Sequence, residues 1–514
     1  KSLYLRRDAS LEDLPDKILL EVMEAIQEVE IALGYDALDI EFAQDKSGKV
    51  YLLQVRPITT VDEIVSDDVA HKIVNLQKNA SNYWHSLQAK SPRIKGDKAI
   101  FGVMPDWNPA EIIGTNPGKL AVSLYEYLIL NDVWAKQRAQ YGYKDVRPQP
   151  LLRNFAGKPY IDVRASFNSF TPNDLSQELT NKLINFYITW LEDHPYLHDK
   201  VEFDVMPTCF GPMFSKWEKR LSEKAHLDEN EISQLKSGLL KITQEGIKRN
   251  KKDFYNLDIL EKYNKEIIEN EKLSNIEKVR LLLDYCKKYG TLPFSHLARS
   301  GFVAVTMLRE GVEAGWLDDQ AKEGFMESVH TVSHELGSDA WKVKQDKMSW
   351  DNFVSKYGHL RPGTYDISSP AYSDNPEQFL RPLIECAKKP SAQSKKVNEW
   401  QKQKKYFFNK LRSNGLDIDD KEFEKFLIEA IEGREKGKFI FSRSLSKSLS
   451  LLIEEGKKYN LTADDLANLS LTDLFTTFNL NISDDDKHAF LTNLSKKNLQ
   501  DRAISRACYL PPLL

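Results

Sequence analysis

Leu38-Asp39-Ile40-Glu41-Phe42 and Val50-Tyr51-Leu52-Leu53-Gln54-Val55-Arg56-Pro57-Ile58 are two strand-like runs joined by Asp45-Lys46-Ser47-Gly48-Lys49, which reads as a hairpin loop. Alternation along a strand sorts the side chains. Leu38, Ile40 and Phe42 fall on one face of the first run, and Tyr51, Leu53 and Val55 on one face of the second. The opposite faces carry Asp39 and Glu41 on one strand, Gln54 and Arg56 on the other. Carboxylate and amide oxygens suit Mg²⁺, and a guanidinium suits phosphate. The same pattern also fits a solvated outer face with a cross-strand ion pair.

Outward from this hairpin, helical spacing takes over. Ser10, Asp13 and Pro15 make a helix start. Ile18, Val22, Ile26, Val29 and Leu33 follow at helical intervals, and Gly34 ends the run. Residues 61–100 read as a linker with one amphipathic helix. Beyond them the pattern is mostly helical. Ser274 with Glu277 forms a capping box, Leu281, Leu282 and Tyr285 continue it, and Gly290 is expected to stop it. Thr462 with Asp465 is a similar start. Two short pieces, Tyr160-Ile161-Asp162-Val163 and Val201-Glu202-Phe203-Asp204-Val205, read as strands. The Lys/Gln/Ser-rich stretch from Lys389 to Lys405 reads as an exposed loop or helix face. The expected fold is mainly α, with a helix-plus-hairpin α/β piece at its start.

Composition narrows the function. The chain has 514 residues, enough for about three domains. Its 72 Lys and Arg against 76 Asp and Glu leave a net charge of −4, so it lacks the broad cationic field that nucleic-acid binding needs. No apolar run approaches the ~20 residues of a membrane span. The 23 glycines are few, and neither G-x-G-x-x-G nor G-x-x-x-x-G-K-[ST] occurs, so no Gly-rich phosphate loop lies in this stretch. Four scattered cysteines without a C-x-x-C fit a reducing, cytoplasmic setting and argue against a Cys-based zinc site.

Three segments crowd polar residues with Pro and Gly. In Phe101-Gly102-Val103-Met104-Pro105-Asp106-Trp107-Asn108-Pro109, Asp106 and Asn108 offer ligand contacts, although Asn108 is equally a cap for a helix starting at Pro109. In Pro293-Phe294-Ser295-His296-Leu297-Ala298-Arg299, Ser295 reads as an N-cap, with His296 and Arg299 one turn apart. They suit an anion, or His296 is a satisfied, half-buried residue. In Tyr357-Gly358-His359-Leu360-Arg361-Pro362-Gly363-Thr364-Tyr365-Asp366, a rigid loop gathers His359, Arg361, Tyr365 and Asp366. His330 and His334 are spaced for Zn²⁺, but the order differs from H-E-x-x-H and no third ligand is identifiable, so a plain helix surface is expected.

With these residues in view, Asp39-Ile40-Glu41-Phe42 … Leu53-Gln54-Val55-Arg56-Pro57-Ile58-Thr59 resembles the closing hairpin of the ATP-grasp domain in the phosphoenolpyruvate synthase and pyruvate phosphate dikinase family. By that resemblance Glu41 and Gln54 help hold Mg²⁺ and ATP, and Arg56 contacts the nucleotide phosphates. The rest is similar to the helical acceptor domain of the family's three-domain branch, which includes rifampicin phosphotransferases and glutamine kinases. The Tyr357–Asp366 loop, Asn108-Pro109, and Arg434-Glu435 with Lys438-Phe439 carry this second likeness.

The resemblance implies residues 1–60 as the C-terminal piece of an ATP-grasp domain and 61–100 as a linker. It implies 101–505 as the helical acceptor domain and 506–514 as the lead-in to a phosphohistidine domain. The N-terminal part of the ATP-grasp and the swivelling domain with its carrier His are missing from this sequence. The implied reaction moves a phosphoryl group from ATP through a mobile phosphohistidine to a small acceptor, releasing AMP and phosphate. His359, Arg361 and Asp366 are the expected residues for binding or activating that acceptor, with His296, Arg299, Asp106, Asn108 and Tyr365 as further contacts. Arg361 with Asp366 suits the zwitterion of glutamine, and Val201–Phe210 also resembles the glutamine-kinase side. An antibiotic or a phosphoenolpyruvate synthase-type acceptor is the alternative reading. A non-catalytic helical binding module is the alternative of another class.

Overall fold

The computed structural model describes residues 17–33, 38–45, 49–57, 67–389 and 396–514. The cap expected at Ser10, Asp13 and Pro15, the stop at Gly34, and the hairpin tip at 46–48 lie outside them. The chain divides into two units, Lys1–Ala70 and His71–Leu514.

The first unit holds the helix Lys17–Leu33 and an antiparallel hairpin of Leu38–Gln44 and Val50–Pro57. Asp39 sits opposite Arg56 and Glu41 opposite Gln54, which places these four positions on one face. A bulge then shifts the register, so Phe42 pairs with Leu52 and Ala43 with Tyr51. The extra residue reverses the side parity beyond it. Tyr51 therefore shares a face with the Glu41 side, which corrects the simple alternation expected above.

Among its described residues the second unit is helical apart from one small sheet, with strands in the order Phe101–Gly102, Lys158–Asp162, Leu152–Phe155. Tyr160 and Ile161 thus lie on a strand as expected. The chain's last residues run along the sheet edge. Phe101 N donates to Leu514 O at 2.9 Å, Leu514 N to Phe101 O at 2.8 Å, and Val103 N to Pro512 O at 3.0 Å. Residues 95–97 are also tied in, each backbone N–H donating to an asparagine side chain, of Asn168, Asn181 and Asn185.

The pillar of this unit is the helix Asp420–Lys458. Its first half buries Phe423, Phe426 and Leu427 in one apolar core, its second half Phe441, Leu445 and Leu449 in another. Leu292–Glu313 packs along it. Close approach needs small residues: a Cβ at Gly433 would lie 2.9 Å from both Leu297 Cδ2 and Phe254 Cζ. Serines on the pillar donate inward as well, Ser444 Oγ to Asn264 Oδ1 at 2.9 Å.

The capping boxes at Ser274/Glu277 and Thr462/Asp465 are both formed. Three local expectations are overturned. Gly290 does not stop its helix. The backbone passes through a π turn, Cys286–Thr291, straight into Leu292–Glu313. Gly290 is needed for space, since a Cβ there would meet Leu260 Cδ2 at 2.8 Å and Phe441 Cβ at 2.9 Å. Ser295 lies inside that helix and donates its hydroxyl back to Thr291 O at 2.7 Å, so it is not a cap. Val201–Val205 is a π turn closed by Met206 N to Val201 O at 3.0 Å. Its alternating sequence mimics a strand but finds no strand to pair with.

Candidate functional site

Two regions of the second unit gather the expected site residues. The first is a cavity of about 250 Å³. The helix Trp350–Tyr357 ends at Gly358, and the following loop brings His359, Arg361 and Thr364 to one wall. The pillar helix brings Glu435, Lys438 and Phe439 to another. The start of Val332–Lys344 closes the third side.

Each polar group in this cavity has a distinct state. His359 Nε2 lies 3.1 Å from Phe439 O, and its ring meets the Phe439 ring edge-on at 4.6 Å. The contact to a carbonyl makes Nε2 the protonated nitrogen and leaves Nδ1 with a lone pair. Nδ1 is buried beside the Lys356 backbone without a well-formed hydrogen bond. Burial, aided by the Arg443 charge, pushes the ring's pKa down to about 4. Arg361 is fully engaged: Nε donates to Ser446 Oγ at 2.9 Å, Nη1 to Ser369 O at 2.5 Å and Nη2 to Ser450 Oγ at 3.0 Å. It ties the loop to the pillar helix. Glu435 accepts the Ser333 N–H at 3.2 Å, a carboxylate at a helix N-terminus. Lys438 has no hydrogen bond or ion pair, and desolvation and the like charge of Arg434 push its pKa down.

Asp366 does not share this cavity. It is exposed and accepts the Ser368 N–H at 3.0 Å, a turn within its own loop. The Arg361–Asp366 clamp expected for a zwitterion is therefore not formed; Glu435 and Lys438 supply the two charge signs instead. Tyr365 is buried, 5.2 Å ring to ring from Tyr125, with its hydroxyl unpartnered.

The second region is a buried charge network. Asp106, held at a positive φ of 61°, accepts from Arg138, at 2.9 Å to Nη1, and from Ser166 Oγ at 2.6 Å. The Arg138 guanidinium stacks 3.7 Å from the Phe170 ring centre, and Arg299 lies over the same ring at 4.9 Å. Arg299 pairs with Glu202. Burial pulls the Arg299 pKa down, but Glu202 together with Asp106 and the neighbouring Tyr143 and Cys209 outweighs it, so the net shift is upward and the group stays protonated. His296 lies 3.0 Å from Asp253 Oδ1 and stacks on Tyr141 at 5.7 Å. Burial nevertheless lowers its pKa. Asn108 accepts the Glu111 N–H at 3.2 Å and caps the helix Pro109–Ile112, as the sequence allowed.

Glu202, Asp253 and Arg138 partner the expected residues but were not singled out by sequence. They lie far along the chain, and no local spacing marks them. Glu435 and Lys438 stand out in the sequence through the family likeness alone. Among the described residues no group of three or more His, Cys, Asp or Glu is placed to hold a metal ion. His330 and His334 sit 5.2 Å apart, ring to ring, without a third ligand. The four cysteines are free thiols. Among the described residues no helix is long and apolar enough to cross a membrane. No family model matches the chain, and no curated protein matches it significantly.

Proposed function

We propose that this chain is the acceptor-binding part of an ATP-dependent phosphotransferase, with glutamine the preferred acceptor. The observation that carries the reading is the meeting of two segments distant in sequence. The loop with His359 and Arg361 and the pillar positions Glu435, Lys438 and Phe439 form one cavity. Both segments were singled out for their likeness to the same family domain.

In this reading Lys438, unpaired and beside Arg434, receives the anionic phosphoryl group. Glu435, one turn from it on the same helix, is the site's carboxylate and takes the acceptor's ammonium end. Neutral His359, held by Phe439 O, offers its ring as an uncharged wall against which the acceptor is oriented for in-line attack. Arg361 holds the loop in place and acts through position, not contact. A cavity of about 250 Å³ favours a small acceptor over a macrocyclic antibiotic, since drug-sized ligands occupy about 300–1,000 Å³.

The hairpin supports a nucleotide role in the same enzyme. Glu41 and Gln54 are cross-strand neighbours and provide two oxygens on one face. Mg²⁺ is commonly held by one or two carboxylates plus substrate phosphates, so these donors fit part of a Mg²⁺–ATP site. The metal would neutralise phosphate charge there, and Arg56, opposite Asp39, lies on the same face as a phosphate contact. The ATP-grasp identity, the phosphohistidine carrier and a cytoplasmic setting belong to this proposal.

The test is AMP release from ATP by the full-length enzyme, with glutamine, rifampicin and pyruvate added in turn. Glutamine is expected to stimulate it. No stimulation by glutamine overturns the preferred acceptor, and no AMP with any acceptor overturns the phosphotransferase reading.

A further inference from the structure

A second cavity, of about 280 Å³, lies elsewhere in the same unit and is used by none of the chemistry above. One wall is the helix Lys119–Tyr125, which runs straight into a π turn, Glu126–Leu130. That turn is closed by Asn131 N to Glu126 O at 2.8 Å. Such turns re-aim side chains and concentrate at functional sites. The facing wall is the helix Asp484–Ala507, which contributes Asn498, Asp501 and Arg502. Asn468 comes from the turn between the short helices Ala463–Ala467 and Leu471–Phe478.

The lining leaves specific polar atoms unused. Asn468 is 5% exposed; its Nδ2 donates to Asp464 O at 2.9 Å, while its Oδ1 is buried and has no donor. Glu126 is half-buried and its carboxylate makes no hydrogen bond or ion pair, and burial pushes its pKa up. Buried polar atoms in folded proteins find partners, so Asn468 Oδ1 calls for a donor from outside the chain, and Glu126 beside it in the lining has its carboxylate uncommitted.

The cationic side is equally underused. Arg502 spends only Nε, donated to Asn116 O at 2.9 Å. Lys119 spends one of its three donors, on Asn498 Oδ1 at 2.8 Å. A dication would satisfy Glu126 and repel Arg502 and Lys119. A dianion would do the reverse. Only a ligand with both signs meets both halves of the lining.

We propose that this cleft binds a small zwitterion, an ammonium-and-carboxylate molecule of the size of a free amino acid. Its ammonium donates to Glu126 and Asn468 Oδ1, and its carboxylate accepts from Arg502 and Lys119. The site is separate from the His359 cavity, and the proposal stands whether or not that cavity receives a phosphoryl group.

The test is calorimetry on the full chain with each of the twenty common L-amino acids in turn, and with butylamine and butyrate as single-charge controls. At least one amino acid is expected to bind saturably and both controls are expected to fail. Glu126→Gln and Arg502→Gln are each expected to weaken that binding at least tenfold, and Lys438→Ala to leave it unchanged. Lys119→Gln, at an exposed position of the same cleft, serves if either variant fails to fold, with a several-fold loss expected. The proposal is overturned if no amino acid binds saturably, or if the controls bind as well. Binding that survives the cleft substitutions but is lost in Lys438→Ala belongs to the other cavity and overturns it too.

Discussion

The buried network around Asp106 and the cavity around His359 use the same residue types in opposite ways. In the network the charges are matched: Arg138 with Asp106, Arg299 with Glu202. In the cavity Arg361 is spent on serines and a carbonyl, and Lys438 has no partner. A buried ion pair loses much of its hydration, and its partners cannot be separated cheaply. An unpaired cation at a cavity wall keeps its interaction for something that arrives. The difference teaches that a gathering of charged side chains is a scaffold where the charges are matched, and a candidate site where one of them, as Lys438, is left without a partner.

Removing a partner from the network breaks the comparison most severely. Arg138→Ala leaves the Asp106 carboxylate buried with only Ser166 as donor. Loss of one member of a buried pair costs about 3–5 kcal/mol. Urea unfolding is expected to show an unfolding free energy lower by that amount, or no cooperative transition at all. A loss under about 1 kcal/mol would mean that the network is wet and its charges weakly coupled.

The next effect belongs to the cavity and appears in its pH dependence. His359 is held near a pKa of about 4 by burial, against about 6.5 in an unfolded chain. Between those values the unfolded chain takes up a proton that the folded chain lacks. Stability from this group is therefore full above about pH 6.5 and falls as the pH drops toward 4. The shift corresponds to on the order of 3 kcal/mol as an upper bound. Unfolding curves of the native chain and of His359→Asn, taken from pH 7 to 4, are expected to differ in slope over that window. Parallel curves would place His359 in solvent. His296 in the network is shifted in the same direction, so the comparison must be made against the variant and not against a flat baseline.

Lys438→Ala sharpens the contrast from the other side. The chain loses no hydrogen bond, so stability is expected to stay within about 0.5 kcal/mol. Binding of inorganic phosphate is expected to weaken by about ten- to hundredfold, the equivalent of one charge-assisted contact of about 1.5–3 kcal/mol. Calorimetry and a thermal melt read the two quantities separately. A large stability loss with unchanged phosphate affinity would make Lys438 a structural residue.

How far the sequence could be read follows the same division. Local grammar was legible: the hairpin, the capping boxes at Ser274 and Thr462, and the dominance of helix all follow from residue spacing within a turn or two. What failed was decided by tertiary contact. Gly290 reads as a helix stop, yet Leu260 and Phe441 need its missing side chain and the helix continues. Val201–Val205 alternates like a strand but lacks a partner edge. At the cavity, the loop that carries His359 and Arg361 was legible as a unit. The pairing of Arg361 with serines of the pillar helix was not, because nothing in one segment encodes which distant segment it will meet.

Asn108 gives the smallest effect and tests a choice that the sequence left open. Its side chain accepts the Glu111 N–H at 3.2 Å, and its backbone sits at a positive φ of 38°. Both features suit a short polar cap: the amide oxygen satisfies an orphan helix donor, and asparagine tolerates the left-handed region better than most residues. Asn108→Ala forfeits the cap and adds backbone strain, for an expected loss of about 1 kcal/mol in unfolding free energy. Asn108→Gly forfeits the same hydrogen bond but relieves the strain, so its loss is expected to be smaller, a few tenths of a kcal/mol. Neither variant is expected to change phosphate binding at Lys438, since Asn108 does not line that cavity. Equal stability of both variants with the native chain, joined to a change in ligand affinity, would convert Asn108 from a cap into a contact.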